Sequence, residues 1–121
     1  MTETNNARMA VPKTVKLFIK GQFPRTESGR VFKLTYFNST KVFANVCLGS
    51  RKDLRGAVEG AKSSLNGWSG KTAFNRGQIL YRMAEMAEGK RIEFENVLIK
   101  TLGRSQSQAE KEVSEAIDAF I

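Results

Sequence analysis

The stretch from Leu65 to Met86, LNGWSGKTAFNRGQILYRMAEM, contains Gly70-Lys71-Thr72. That triplet is how a phosphate-binding P-loop ends. In the motif G-x-x-x-x-G-K-[ST], a turn between a buried strand and a helix aims backbone N–H groups at phosphate oxygens. The spacing excludes it here, because the first glycine would have to stand at position 65, which is Leu65. The preceding SRKDLRGAVEGAKSSL also has a helical period rather than a strand's. Gly70-Lys71-Thr72 is therefore a polar connector, with Thr72 placed to cap the next helix.

Other reactive chemistry is limited by composition. Cys47 is the only cysteine, and there is no histidine. Zinc sites of the Cys/His type, a histidine-based triad and an internal disulfide are excluded. As a nucleophile Cys47 would need a depressed pKa that nothing nearby in the sequence supplies. Within VFANVCL it reads as a small buried hydrophobe. Met83 and Met86 read as core residues rather than a soft-metal site. Glu93 with Glu95, and Glu110, Glu112 and Glu115, read as solvated helix faces rather than an acid/base pair. Asn38-Ser39-Thr40 spells a glycosylation sequon, but no secretory signal precedes it, and it reads as a turn. No catalytic, cofactor-binding or metal-binding residue is assigned.

Charge is the other chemical signal. Among 121 residues, 20 Lys/Arg oppose 12 Asp/Glu, for a net +8. Residues 1–60 hold 11 basic and 4 acidic residues, and residues 61–121 hold 9 and 8. The front half is thus +7. It could bind a polyanion, or face an acidic protein surface. Lys16, Lys20, Arg25, Arg30 and Lys33 alternate with Phe18, Phe23 and Phe32, as on a nucleic-acid-binding sheet. No RNP-like run accompanies them, and half-buried strands need aromatics anyway. Any nucleic-acid affinity should be non-specific and salt-sensitive. A small basic nucleic-acid-binding or protein-interaction module is the alternative reading. No apolar run approaches the ~18 residues of a membrane span. The single cysteine agrees with a reducing, cytoplasmic setting.

The elements that must hold these residues are legible in outline, and the fold class is α+β. Residues 1–15 read as a flexible polar arm. From Lys16 to Leu48 the expectation is an antiparallel β meander: KLFIKGQF turning at Lys20-Gly21, then TESG, RVFKLTYF, NSTK and VFANVCL. The period then becomes helical. Ser50 and Asp53 have capping-box spacing, and Leu54, Ala57, Val58, Ala61 and Leu65 form one apolar stripe. Gly56 and Gly60 each cost that helix about 1 kcal/mol relative to alanine. Thr72 caps a second helix striped by Ile79, Leu80, Met83, Ala84 and Ala87, with Gly89 able to end or bend it. Ile92, Phe94, Val97, Leu98 and Leu102 continue to Gly103. A last helix is expected near Ser107, with Glu110 completing its capping box and Ala109, Val113, Ala116, Ile117 and Phe120 as its stripe. Three or four amphipathic helices over so small a meander leave apolar faces open, and the chain ends at Ile121 within such a stripe. That looks like a piece of a larger fold.

The order of these phrases resembles the N-terminal portion of the aldehyde dehydrogenase superfamily, from about Lys16 to Ile121. LFIKGQFPRTESGRVFKL is similar to the family's opening hairpin. VFANVCLGSRKDLRGAVEGAKSSLNGWS is similar to its next strand and a helix ending in tryptophan. NRGQILYRMAEMAEGKRIEF is similar to its long second helix, and AEKEVSEAIDAF to a following one. Gly67-Trp68 resembles the family's helix-ending pair, which makes Trp68 a packing anchor over a helix end and Arg76 a helix-surface residue. The family's Asn-Pro-x-x-Gly turn is replaced by YFNSTKVF, and its Thr-Gly-Lys by Leu102-Gly103-Arg104.

The resemblance implies the start of an α/β cofactor-binding domain. Enzymes of that family oxidise aldehydes to acids with NAD or NADP, through attack by a cysteine thiolate, hydride transfer and release by a glutamate-activated water. Those elements, and the cofactor motifs, lie downstream of the matched region. Residues 16–121 are thus expected to be an incomplete domain that binds no cofactor and oxidises no aldehyde alone. Its implied partner is the remainder of an aldehyde dehydrogenase fold, or a second copy through exposed helix faces. Alone, the chain is expected to be marginally stable and to associate or stay partly molten.

Overall fold

The computed structural model describes residues 11–121. Three strands come first, β1 (Lys13–Val15), β2 (Val31–Thr35) and β3 (Val42–Cys47). Four helices follow, α1 (Arg51–Ser69), α2 (Ala73–Gly89), α3 (Arg91–Leu102) and α4 (Gln106–Asp118). The α+β order expected from the sequence is present.

The sheet is not a meander, however. Its order is β1-β3-β2, with β2 antiparallel to β3 and β1 parallel to it. Lys13–Val15, within the stretch read as a flexible arm, aligns with Ala44, Asn45 and Val46; residues 1–10 of that arm lie outside the described residues. β3 is the most apolar strand, so it takes the centre, where both edges are paired, and it holds the buried Ala44 and Cys47. KLFIKGQF does fold back on itself, outside the sheet. Ile19 and Gln22 exchange backbone hydrogen bonds of 3.0 and 3.1 Å across Lys20-Gly21. Both turn residues have positive φ, 56° and 75°, the requirement of a tight two-residue hairpin turn. The ladder stops at Pro24, which accepts from the Leu17 N–H (3.0 Å) and has no N–H to return.

The β2–β3 turn lacks the proline and glycine of the resembled pattern. Asn38 takes the left-handed conformation instead (φ 51°), as asparagine can. The Phe37 N–H next to it donates to the Lys100 carbonyl at 2.7 Å, tying the sheet to the C-terminus of α3. Gly103 ends α3 at φ 68°, and a Cβ there would meet the Phe37 ring at 2.5 Å. The positive φ is what favours glycine here, and the half-exposed Phe37 ring lies over the space a Cβ would fill.

The caps follow the sequence with one shift. Ser50 and Asp53 form a capping box on α1, and Thr72 accepts from the Asn75 N–H on α2. The last helix starts two residues earlier than expected, because Ser105 with Gln108 satisfies the box that Ser107 with Glu110 was expected to form. The closed core lies where α2, α3 and α4 meet, at Ala84, Val113 and Ile117, with Ala87, Leu98 and Phe120 packed on it. α1 makes at most marginal contact with any other helix or strand. Its stripe is open, with Leu54 65% and Leu65 60% exposed.

Candidate functional site

Three clusters of polar chemistry stand out, and each closes on itself. The first joins the TESG turn to α1. Thr26 is buried and donates its hydroxyl to the Asp53 carboxylate, which also accepts from the Ser50 N–H (2.9 Å), the Glu27 N–H (3.2 Å) and the Ser50 hydroxyl (3.2 Å). The Thr26 hydroxyl first, then the Ser50 N–H, hold the Asp53 carboxyl below its ordinary value of 3.8, with partial burial opposing them. Asp53 is read from sequence only as a cap. Its second task, gripping a turn 27 residues earlier, leaves no local signal.

The second cluster overturns an expectation. Glu95, read as part of a solvated face, is only 5% exposed. It lies between Arg91 Nη1 (3.4 Å) on α3 and Gln106 Nε2 (3.2 Å) in the first turn of α4. The early start of α4 is what brings Gln106 there. Arg91 also donates to Glu88 (2.6 Å) and to the Glu110 carbonyl (3.4 Å). The Glu88 carboxylate first, and Glu95 with it, push the Arg91 guanidinium up. This is a corner brace between α3 and α4, with every partner engaged. Glu93 pairs with Lys90 and Glu112 with Arg104, both near the surface.

The third cluster is the Gly70-Lys71-Thr72 connector between α1 and α2. Gly70 caps α1 and Thr72 caps α2. Arg76, expected to be a plain surface residue, reaches back to the Ser69 carbonyl (3.3 Å) and to Lys71 O, so it ties the end of α1 to the start of α2. Trp68 stays 39% exposed.

The remaining candidates are dispersed. Cys47 is buried in β3, as expected, opposite Val31. Met83 and Met86 are exposed rather than core, because α2 turns its small residues Ala84 and Ala87 toward α4. Phe18 and Phe23 pack on each other at the hairpin, ring centroids 5.0 Å apart, while Phe32 lies on β2. They share no sheet with one another. Among the described residues, no group of three or more His, Cys, Asp or Glu could hold a metal ion, and no helix is long and apolar enough to cross a membrane.

A dinucleotide would be expected at a strand–turn–helix connection, its pyrophosphate on free N–H groups. The connection here is β3-Leu48-Gly49-Ser50-α1. The Asp53 N–H is bonded to the Ser50 hydroxyl (3.2 Å), and the Asp53 carboxylate sits at the helix start. The turn thus presents negative charge where a pyrophosphate would bind, and these residues do not fit the cofactor.

The sequence profile of the aldehyde dehydrogenase family matches residues 24–121. The chain belongs to that family. It corresponds to the N-terminal portion of its members. A D-glyceraldehyde dehydrogenase (NADP(+)) of Thermoplasma acidophilum is 28% identical over 103 residues, 85% of this chain and 21% of the relative. Among solved structures, an NAD-dependent benzaldehyde dehydrogenase from Corynebacterium glutamicum is 32% identical with a TM-score of 0.79, over 88% of this chain and 23% of that one. A lactaldehyde dehydrogenase from Escherichia coli shares the fold, with a TM-score of 0.84 at 22% identity over 89% of this chain and 23% of that one. The chain thus spans about a fifth of the length of the aldehyde dehydrogenases it matches.

Proposed function

We propose that this chain is the N-terminal segment of an NAD- or NADP-dependent aldehyde-oxidising enzyme, and that it contributes packing surface rather than reacting groups. The observation that carries this reading is one coincidence. The stretch that matches the family is also the stretch whose helices leave their apolar faces open, including Leu54, Leu65, Met86 and Phe94. Family members use a nicotinamide cofactor, which would accept the hydride. The residues present here neither cradle that cofactor nor offer a nucleophile, since Cys47 is buried in a strand. The buried thiol suits a reducing, cytosolic setting.

The open faces take the rest of such a fold as their cover. Assaying the 121-residue chain with several aldehydes and NAD or NADP is expected to yield no reduced cofactor. The protein translated from the whole reading frame is expected to yield it, at a rate that Cys47→Ser leaves unchanged. Reduced cofactor formed by the short chain and lost with Cys47→Ser overturns this reading, as does a whole-frame protein that oxidises no aldehyde.

A further inference from the structure

Asn66-Gly67 is the chain's single asparagine–glycine pair; every other asparagine precedes Asn, Ala, Ser, Val or Arg. Glycine has no Cβ, so its backbone nitrogen can approach the carbonyl carbon of the preceding asparagine side chain unhindered. The pair lies near the C-terminal end of α1, which runs to Ser69. An intact helix protects it. The Gly67 N–H is committed to the carbonyl four residues earlier, and helical backbone holds that nitrogen away from the Asn66 side chain. The chemistry therefore depends on how often this end of α1 opens.

Several features leave that end weakly secured. Ser63, Ser64, Asn66, Gly67 and Ser69 make up most of its last two turns, and all are poor helix formers. The Ser63 and Ser64 hydroxyls both donate to the Gly60 carbonyl, at 2.9 and 3.1 Å, in competition with the helix's own N–H groups. No basic side chain stands in the last turn to offset the helix dipole. Every residue from 61 to 70 is exposed, and a Cβ on Gly67 would meet no atom within 4 Å. A segment with few packed contacts and solvent-exposed hydrogen bonds opens locally, without global unfolding. The ties that oppose opening are the Gly70 N–H on the Asn66 carbonyl (2.9 Å) and Arg76 on the Ser69 carbonyl (3.3 Å). Asn38 is the nearest rival, exposed in its turn, but it precedes serine, whose side chain crowds the approach.

We propose that Asn66 is a site of spontaneous deamidation, gated by fraying of the C-terminal end of α1. When the turn opens, the Gly67 backbone nitrogen attacks Cγ of Asn66. The new N–Cγ bond closes a succinimide ring, the Cγ–Nδ2 bond breaks, and ammonia leaves with the amide proton. Water then opens the ring at either carbonyl, giving aspartate or isoaspartate, with no change of oxidation state. Both products put a carboxylate at the end of α1 where the helix dipole disfavours negative charge, and isoaspartate lengthens the main chain by a methylene. The converted turn re-forms less readily, so the α1–α2 corner stays loosened. The inference goes beyond the enzyme-segment reading and does not rest on it, since the reaction needs only this chain and water.

The 121-residue chain is incubated at mildly alkaline pH, and peptide mapping by mass spectrometry follows the replacement of each asparagine amide by acid. A short peptide spanning residues 62–71 gives the rate without a helix. Asn66 is expected to convert before every other asparagine, yet more slowly than in the peptide. Gly67→Ala is expected to slow it about tenfold or more, through the added Cβ and the firmer helix. Arg76→Ala, which cuts a tie, is expected to speed it. Ser63→Ala with Ser64→Ala, which strengthens the helix, is expected to slow it, and this arm decides the gating if Arg76→Ala disturbs the fold by circular dichroism. Three results overturn the proposal: another asparagine converting first, Asn66 intact when the peptide is fully converted, or a rate that neither the Arg76 nor the serine substitutions move.

Discussion

α1 and α4 are amphipathic to a similar degree, and each begins with a serine capping box. Their surroundings differ. α4 buries Ala109, Val113 and Ile117 against its neighbours, while α1 leaves Leu54, Val58 and Leu65 in the open. The cause is what lies next in the chain. α4 follows α3 after Gly103, Arg104 and Ser105, and the left-handed Gly103 turns the chain back so that the two helices meet. The Glu95 brace then fixes the corner. α1 is flanked by a small hairpin and by the short connector to α2. The hairpin covers only its glycine side, where the Lys20 side chain lies over Gly60 so closely that a Cβ would come within 2.7 Å of it. An apolar stripe therefore states that a helix needs cover. Which neighbour supplies the cover is decided by chain direction and by residues elsewhere.

The strongest way to break the contrast is to attack the closed end. Ile117→Ala removes one of the few buried aliphatic side chains, and is expected to cost about 2–5 kcal/mol. Val113→Asp places an unpaired carboxylate in the same cluster, and should unfold the α3–α4 corner at neutral pH. Urea denaturation followed by circular dichroism measures both. If Ile117→Ala shifts the midpoint no more than a surface substitution does, the corner is not the stable core.

Glu95→Ala comes next. It removes the buried acceptor shared by Gln106 and Arg91, which keep the Glu110 carboxylate and carbonyl as partners, an expected loss of about 1 kcal/mol. Glu95→Gln keeps an acceptor and should fall between alanine and the native residue. Equal losses for the two substitutions would mean that the brace acts through charge alone. Gly103→Ala follows at about 1 kcal/mol, mostly from holding an alanine at positive φ. The Phe37 ring is 53% exposed and can swing away, so the clash itself adds little.

These particulars mark what the sequence made legible. Caps, turns and helix spans depend on residues within four positions of one another, and Ser50-Asp53, Thr72, Lys20-Gly21 and Gly103 were all readable. The parallel pairing of β1 with β3 was not, because Lys13-Thr14-Val15 is too short and polar to announce a strand. Glu95 was misread for a related reason. A glutamate among polar neighbours looks solvated until α4 folds across it, and Gln106 stands 11 residues away. Gly56 and Gly60 looked like defects of α1, yet Gly60 is where the Lys20 side chain crosses. At the candidate site, composition alone removed histidine and zinc chemistry, and the structure leaves Cys47 buried as its strand phrase suggested.

Asp53 tests the open end through pH. Its folded pKa lies below the ordinary 3.8, so its contribution is present above the unfolded value and is lost as pH falls through the folded one. The grip of the TESG turn on α1 should therefore hold at neutral pH and fail only under strong acid. Asp53→Asn should remove that acid-sensitive step from the far-ultraviolet signal while leaving the α3–α4 corner intact. An unchanged acid profile would show that Thr26 and the backbone N–H groups hold the turn without the carboxylate.

The smallest effect is expected where the sequence pattern is strongest. Leu54→Ser and Leu65→Ser remove large apolar side chains from a clear stripe, yet each should change the stability of this chain by no more than about 0.5 kcal/mol. Those side chains gain little on folding if folding leaves them in water. The same substitutions at buried positions would cost several times more, so near-neutrality is informative. Suppose instead that Leu65→Ser destabilises as much as Ile117→Ala. The stripe is then covered in solution, and the only polypeptide available is another copy of the chain. Sedimentation over a range of concentrations separates the cases. A monomer at every concentration with a neutral Leu65→Ser confirms the open face. A concentration-dependent dimer that Leu65→Ser dissociates shows that α1 has found in a second copy the cover α4 finds in α3.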